Sequence, residues 1–351
     1  MKYFLQQSKQ FMRGHFMPVF LFFLLIIPTS AFALKYKHIV AFGDSLSDHY
    51  NLNSYVSEAR ESMTNGKVWL EYLSQELNVS LDNNAFIGAM TSKHLKDEIQ
   101  AACDLGQIPQ QLGLIGQVEQ FIKESHDINA DETLFSIWIG SNNLIRYGRG
   151  EFGNITPEQM IALAMEDVGV AISKLLEIGA TDFIIMNLPD IGKSPWYGSG
   201  TPEEVAAATQ LAFGYNHALL QTVNLLLKDK PGINLYCFDM VQIMNEIVEK
   251  EIFPNTTGTY TVLDEGGFPT DETNGPAENY LFWDGVHPTT KAHEYFAKVV
   301  AIRLLHDGYF FLKTELDNAV QQERMKWDLK NDNLIGLEEA IHALKVCSEM
   351  K

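Results

Sequence analysis

The sequence predicts an α/β fold: a doubly wound parallel sheet of about five strands with helices on both faces. Three observations predict it. Five short apolar segments recur along the chain, most of them followed by a stretch with apolar residues at helical spacing. The segments read as buried strands, as parallel strands covered on both faces should. The chemically distinctive residues fall just past the ends of those segments, where open α/β sheets bind ligands.

The first strand is read at His38–Phe42. Val68–Leu77 then carries apolar residues at helical spacing, and Val79–Ile87 contains the second strand. A weaker helical pattern at Leu112–Ile122 precedes the third strand, Thr133–Ile139. Pro157–Ile178 and Pro202–Leu227 are long and well patterned, each with a proline near its start, where the missing N–H costs nothing. They bracket the fourth strand, Phe183–Leu188, and the fifth is Ile233–Phe238. Helices at Met240–Val248 and Thr289–Leu305 complete the set. Met90–Leu112 has little periodicity, and Glu251–Tyr280 is rich in Gly, Pro, Asn and Thr. Both read as insertions, of a length that serves as a lid, a binding surface or a plain surface excursion. Ser45, Gly88, Gly140 and Pro189 each follow a predicted strand, so four motif positions converge on one sheet edge.

The chain has 351 residues, 46% of them hydrophobic, enough to bury a large core. Its start reads differently. Lys2, Lys9 and Arg13 precede an apolar run from Phe16 to Ile27, and Pro28-Thr29-Ser30-Ala31-Phe32-Ala33 follows. A basic region, a short apolar region and a small-x-small exit make a secretory signal peptide, with cleavage after Ala33. The run is short for a membrane span, which needs about 20 residues. The expected organisation is therefore a leader over 1–33, a main domain over 34–313 and a C-terminal helical appendage over 314–351, in a protein exported to the periplasm or the medium. The formal net charge is -19, and losing the three leader cations makes it -22. That balance argues against nucleic-acid binding through phosphates. It mainly supports solubility and also disfavours strongly anionic membranes. Cys103, Cys237 and Cys347 allow at most one internal disulfide. Cys237 sits in an apolar run and reads as a small buried hydrophobe. No CxxC or Cys/His metal spacing appears.

Two short motifs carry the chemistry. One is Gly43-Asp44-Ser45-Leu46-Ser47-Asp48, directly after the first strand; the other, Asp284-Gly285-Val286-His287-Pro288, begins 239 positions after Ser45. A serine hydroxyl becomes a good nucleophile when a histidine takes its proton and an acid orients that histidine. Ser45 is the candidate nucleophile, His287 the base and Asp284 the orienting acid. Ser45 also suits a helix N-cap, and the two readings are compatible because a helix N-terminus favours developing negative charge. His38, His49 and His293 lie near motifs without comparable context; His293, on the following helix, is expected to face solvent. No G-x-S-x-G elbow, zinc-protease helix, Walker loop or dinucleotide loop is present.

These motifs, with Asn83-Asn84-Ala85-Phe86-Ile87-Gly88-Ala89 and Gly140-Ser141-Asn142-Asn143, resemble the four blocks of the GDSL, or SGNH, hydrolases. Asn187-Leu188-Pro189-Asp190-Ile191-Gly192 and Thr64-Asn65-Gly66-Lys67-Val68-Trp69 resemble segments of bacterial lipase and acyltransferase members. The resemblance spans about Lys37 to Leu305. It implies a flavodoxin-like sheet order and an oxyanion hole built from the Ser45 N–H, the Gly88 N–H and the Asn142 side chain. It also implies lysophospholipase, phospholipase or lipase action on a lipid ester, with acyl transfer to an alcohol or sterol acceptor as a second outcome and transient membrane-surface contact. Asn143 departs from the block, which usually ends in Asp, and reads as a tuning change. A carbohydrate esterase on the same fold is the rival substrate reading, since fold does not settle substrate.

The tail offers one more pattern. Asp328 to Glu339 has the twelve positions of a degenerate EF-hand or dockerin-type loop, with Asp328, Asp332, the Leu334 carbonyl and Glu339 in ligand places. Lys330 occupies a ligand position and Asn333 replaces the turn glycine, so a polar turn capping a packed helix is the favoured reading. No cofactor is expected. The reading from a different class is a non-catalytic binding protein whose tail is stabilised by calcium.

Overall fold

A computed structural model describes residues 35–51, 63–92, 112–124, 129–227 and 230–306. Its frame is a parallel sheet of β1 (His38–Gly43), β2 (Ser80–Asn83), β3 (Thr133–Trp138), β4 (Asp182–Met186) and β5 (Asn234–Phe238). The spatial order is β2-β1-β3-β4-β5. β1, β3 and β4 are buried almost throughout because both sheet faces are covered, which is why they read as unbroken apolar runs. Gly43 pairs with Trp138, Trp138 with Met186, and Met186 with Phe238, so four strands end level with one another. The order reverses between β1 and β3, and the crevice outside the carboxyl ends there is where this topology places ligands.

The helices are α1 (Trp69–Leu77), α2 (Leu114–Glu124), α3 (Ser141–Gly148), α4 (Pro157–Glu177), α5 (Pro195–Gly198), α6 (Pro202–Leu227), α7 (Met240–Glu249) and α8 (Thr290–His306). Their starts follow from local chemistry. Thr156 caps α4 by accepting the Gln159 N–H, while the Gln159 side chain accepts the Thr156 N–H at 2.8 Å, and Pro157 fills the first turn. Asp239 caps α7 by accepting the N–H groups of Val241 and Gln242. α1 lies against α8, and α4 against α2 and α6. An aromatic chain runs through the core beneath the crevice. Trp69 meets Trp138 edge to face at 5.9 Å, and Trp138 meets Phe296 at 6.2 Å. Each such ring buried stabilises the fold by about 1.5–3 kcal/mol, plus an edge-to-face increment.

Strand and helix limits fall within about two residues of those read from sequence, except that the second strand, read within Val79–Ile87, ends at Asn83. Other elements differ from that reading. α3 was not foreseen: Gly140, at φ +122°, turns the chain from β3 straight into a helix. Glu251–Tyr280 contains strands β6 (Asn255–Thr259), β7 (Thr261–Leu263) and β8 (Pro269–Thr273). β6 pairs with β9 (Tyr280–Phe282), and β7 pairs with β8 as a small hairpin. These strands are short and threonine-rich, so no apolar alternation marks them.

The expectation that His293 faces solvent is wrong: it is 0% exposed. His293, Phe296, Ala297 and Val300 form one helical stripe, and all four are buried. The imidazole packs edge to face on Phe296 at 5.9 Å, and neither ring nitrogen has a hydrogen-bond partner among the described residues. Burial, reinforced by the charge of His287, pulls its pKa down to about 3.

Cys237 is a buried free thiol in β5, and burial pushes its pKa up to about 12. The leader over 1–33, Cys103, Cys347 and the calcium candidates Asp328, Asp332, Leu334 and Glu339 lie outside the described residues. Among the described residues, no helix is long and apolar enough to cross a membrane, and no cluster of three or more His, Cys, Asp or Glu could hold a metal ion.

Candidate active site

β1 ends at Gly43, and the turn that follows is fastened by backbone bonds. The Asp44 carbonyl accepts the N–H groups of Ser47 and Asp48, each at 3.0 Å. A Cβ on Gly43 would lie 2.5 Å from the Trp138 carbonyl oxygen, so the closeness of β1 and β3 requires glycine there. Gln117 on α2 grips the same residue. Its amide oxygen accepts the Gly43 N–H at 2.9 Å, and its amide nitrogen donates to the Gly43 carbonyl at 2.8 Å and to the Leu112 carbonyl at 2.8 Å. The result presents the Ser45 hydroxyl at the crevice.

The second motif arrives from β9. The Trp283 N–H donates to the His287 carbonyl at 2.7 Å, closing Asp284–His287 into a tight loop. The Trp196 N–H, from α5, donates to the Gly285 carbonyl at 2.9 Å and holds the loop from outside. Within it, Asp284 Oδ1 accepts the N–H groups of Val286 and His287 at 2.9 and 2.7 Å. His287 Nδ1 lies 2.8 Å from Asp284 Oδ2, and His287 Nε2 lies 2.9 Å from Ser45 Oγ. Serine, histidine and aspartate thus form one continuous hydrogen-bonded line across 242 positions.

The electrostatics follow from those contacts. Burial would raise the Asp284 carboxyl, but the facing imidazole, its hydrogen bond and two backbone N–H bonds outweigh burial and hold the pKa below the ordinary carboxylate value. Burial alone would lower the His287 pKa; the charge and hydrogen bond of Asp284, helped by Asp44, raise it. Asp44 is fully buried, with Oδ1 accepting the Leu46 N–H at 3.0 Å and Oδ2 without a partner among the described residues. Burial pushes its pKa up to about 7, against that N–H and the charge of His287.

The remaining predicted residues sit beside this line. Gly88 has φ +73°, a conformation open to glycine, in a turn tied to the first motif. Asp48 Oδ2 accepts the Ile87 N–H at 2.8 Å, and the Phe86 N–H donates to the Gly43 carbonyl at 3.0 Å. The Gly88 and Ser45 N–H groups have no acceptor among the described residues. Asn142, in the first turn of α3, donates one side-chain N–H to the Ala89 carbonyl at 3.0 Å, which fixes the amide and leaves its second N–H available. Asn143 is buried and points away. Its oxygen accepts the Thr91 N–H, and its nitrogen donates to Thr91 Oγ, whose own proton goes to Asp167. An aspartate at 143 would bring no donor to that hydroxyl, so the amide satisfies the network where a carboxylate would not.

Ser45, Asn142, Asp284 and His287 line a cavity of about 420 Å³, walled mainly by apolar side chains that include Ile145, Met244 and Phe296. Gly88 borders the site rather than lining the cavity. Two exposed aromatics flank the opening: Trp196, 42% exposed, and Phe268, 67% exposed on the β7–β8 turn. The turn crosses close to the indole, since a Cβ on Gly267 would lie 3.1 Å from the Trp196 ring. Sequence reasoning missed Gln117, Trp196 and Arg149, the last at the end of α3 and also on the cavity wall. Only Trp196 carries a signal, as an aromatic after Ser-Pro shortly beyond the Asn187–Gly192 segment. In that segment Asn187 accepts the Met240 N–H, and Asn216 from α6 brackets Leu188 with two 2.8 Å bonds. An imidazole poised between a hydroxyl and a carboxylate, beside unpaired N–H donors and an apolar cavity, can run nucleophilic acyl chemistry.

A family model described as GDSL-like Lipase/Acylhydrolase matches residues 39–300. The thermolabile hemolysin of Vibrio parahaemolyticus serotype O3:K6 is 26% identical over 287 residues, covering 74% of this chain and 62% of the hemolysin, less than two thirds of its length. An acetylesterase of Thermothelomyces thermophilus is 24% identical over 299 residues, covering 78% and 90%. The phosphatidylcholine-sterol acyltransferase of Aeromonas hydrophila is 26% identical over 327 residues, covering 79% and 92%.

Proposed function

This chain belongs to the GDSL-like lipase/acylhydrolase family, and from that premise we propose that it is an exported serine ester hydrolase releasing fatty acid from lipid esters. The observation that carries the reading is the 2.9 Å contact of Ser45 Oγ with His287 Nε2, continued by the 2.8 Å contact of His287 Nδ1 with Asp284. Ser45 Oγ attacks the acyl carbon while His287 Nε2 takes its proton. Asp284 holds the other ring nitrogen protonated and stabilises the imidazolium that forms. The tetrahedral oxyanion is met by the Ser45 N–H, the Gly88 N–H and the Asn142 amide. Donors of this kind are worth about 3–4 kcal/mol each because the charge they meet appears only in the transition state. Collapse breaks the ester C–O bond, and His287 returns the proton to the departing alcohol oxygen. Water then attacks the acyl-serine with His287 again as base, and the fatty acid leaves.

The apolar cavity favours an acyl chain over a sugar. Trp196 and Phe268 at the opening support transient contact with a lipid surface. Acyl transfer to an alcohol or sterol uses the same acyl-serine, and the relative named phosphatidylcholine-sterol acyltransferase favours it as a second outcome. The relative named acetylesterase favours a short-acyl alternative. Export rests on the basic and apolar leader.

Hydrolysis of a series of p-nitrophenyl acyl esters tests the reading. Turnover by the native protein should disappear in Ser45→Ala and rise from acetate toward longer chains. Equal turnover by both forms would exclude Ser45 as nucleophile, and preference for acetate would favour the acetylesterase reading.

A further inference from the structure

α3 carries the site's amide at one end and a cation at the other. Arg149 follows Asn142 by seven positions, and its own dihedral angles, φ -81° and ψ 0°, continue the helix. Seven residues are about 20° short of two full turns and rise about 10 Å. Asn142, Ile145 and Arg149 therefore share one stripe, and all three line the cavity that holds Ser45.

Among the described residues, Arg149 is the only lysine or arginine on that cavity wall. It is exposed, and its guanidinium stands over the Trp196 ring at 5.7 Å. Its charge reaches the neighbouring Tyr197 hydroxyl, where it opposes the rise that burial causes. Among the described residues no carboxylate is paired with it, whereas Arg146, three positions earlier, is paired with Glu151 at 2.8 Å. In a chain of net charge -19, an arginine steadied by an aromatic face and with no counter-ion among the described residues, at an apolar cavity, is complementary to an anion.

The anion belongs to the alcohol half of the substrate. A released fatty acid has its carboxylate at the Ser45 end, about 10 Å away along α3. A glycerol backbone spans such a separation between an acyl ester and a phosphodiester once the reach of the two side chains is subtracted. The planar, five-donor guanidinium suits phosphate oxygens in a bidentate pair. Resting on the lipid-ester reading above, we propose that Arg149 is a specificity-determining residue that binds the phosphodiester of a glycerophospholipid or lysophospholipid while Ser45 attacks its acyl ester. The protein then discriminates phospholipids from neutral glycerides through one contact.

The test compares a 1-acyl lysophosphatidylcholine with the monoacylglycerol of the same chain, each below its aggregation concentration. The native protein, Arg149→Met and Arg149→Lys are assayed. In Arg149→Met the ratio of kcat/KM for the lysophospholipid over that for the monoacylglycerol should fall about 10- to 100-fold, the worth of a hydrogen bond to a charged group. The loss should lie mainly in KM, because a group remote from the reacting carbon binds ground and transition states alike. Arg149→Lys should recover part of the ratio. A ratio unchanged in Arg149→Met would overturn the proposal, including the case where both activities fall together through lost packing. Inorganic phosphate at millimolar concentration is the control: inhibition of monoacylglycerol hydrolysis that Arg149→Met abolishes, with the ratio unchanged, would assign Arg149 to a free anion and overturn the headgroup assignment. Monoacylglycerol hydrolysis with no change of ratio removes this proposal alone; failure of the native protein on every acyl ester removes the lipid-ester reading as well.

Discussion

Gln117 holds Gly43 from both sides, accepting its N–H at 2.9 Å and donating to its carbonyl at 2.8 Å. The pair lies two residues before Ser45, so one amide on α2 fixes how the chain leaves β1. Gln117→Ala should strand the buried Gly43 N–H and cost about 2–4 kcal/mol. Denaturant midpoints would measure it; a change below 1 kcal/mol, to within the usual error, would mean that water replaces the amide.

Gly140 and Gly150 make a matched pair. Both have positive φ, at +122° and +76°, but a Cβ on Gly140 would lie 2.3 Å from the Tyr215 ring, whereas one on Gly150 meets nothing within 4 Å. Gly150→Ala should cost only the left-handed strain of about 1–2 kcal/mol. Gly140→Ala should cost more than about 4 kcal/mol, the range of severe core lesions, since Tyr215 is itself held by a 2.9 Å bond to the Ile139 carbonyl. Thermal unfolding of the two variants side by side should separate them.

The pH profile of ester hydrolysis should report His287. Only the neutral imidazole can take the serine proton, so activity is lost as pH falls through a pKa held above the ordinary value of about 6.5. Asp284→Asn removes the chief cause of that rise while burial persists, so the acid limb should move to lower pH. The rate should also drop about 10⁴-fold, as when the orienting acid of such a triad is neutralised. An unmoved limb would show that another group governs the profile.

The buried His293 makes the fold acid-sensitive. Its folded pKa is depressed to about 3, so its neutral form supports the fold above the ordinary value, and that support is lost as pH falls below about 6.5 toward 3. At pH 5 the loss is about 2 kcal/mol. His293→Phe should therefore gain stability over the native protein at pH 5 relative to pH 8, read by denaturant unfolding at both values. Equal differences at the two pH values would mean that the imidazole is solvated or partnered.

Much of the frame was legible because parallel strands covered on both faces cannot hide. Ile39 to Phe42 and Phe183 to Met186 are buried and apolar without interruption, and Pro157 announced the start of α4. The serine, histidine and aspartate were legible as motifs because a nucleophile, a base and an acid are rare in such settings. What stayed hidden depends on partners distant in sequence. The threonines of β6–β8 are strand residues only because each finds another strand. Gln117 looks like any polar helix residue until Gly43 lies beside it. His293 could have been placed: its stripe with Phe296, Ala297 and Val300 has helical spacing, and the polar identity of one member obscured the pattern.

The Trp283–His287 backbone bond has a consequence for how the proposed catalytic line can come apart. His287 and Asp284 ride on one clamped segment of five residues, with the carboxylate also gripping its backbone. Their mutual geometry survives displacement of that segment, whereas the gap to the hydroxyl does not. A shift of that segment would therefore keep Asp284 and His287 assembled and part them from Ser45, so restoring the line would be a docking step rather than a rebuilding one.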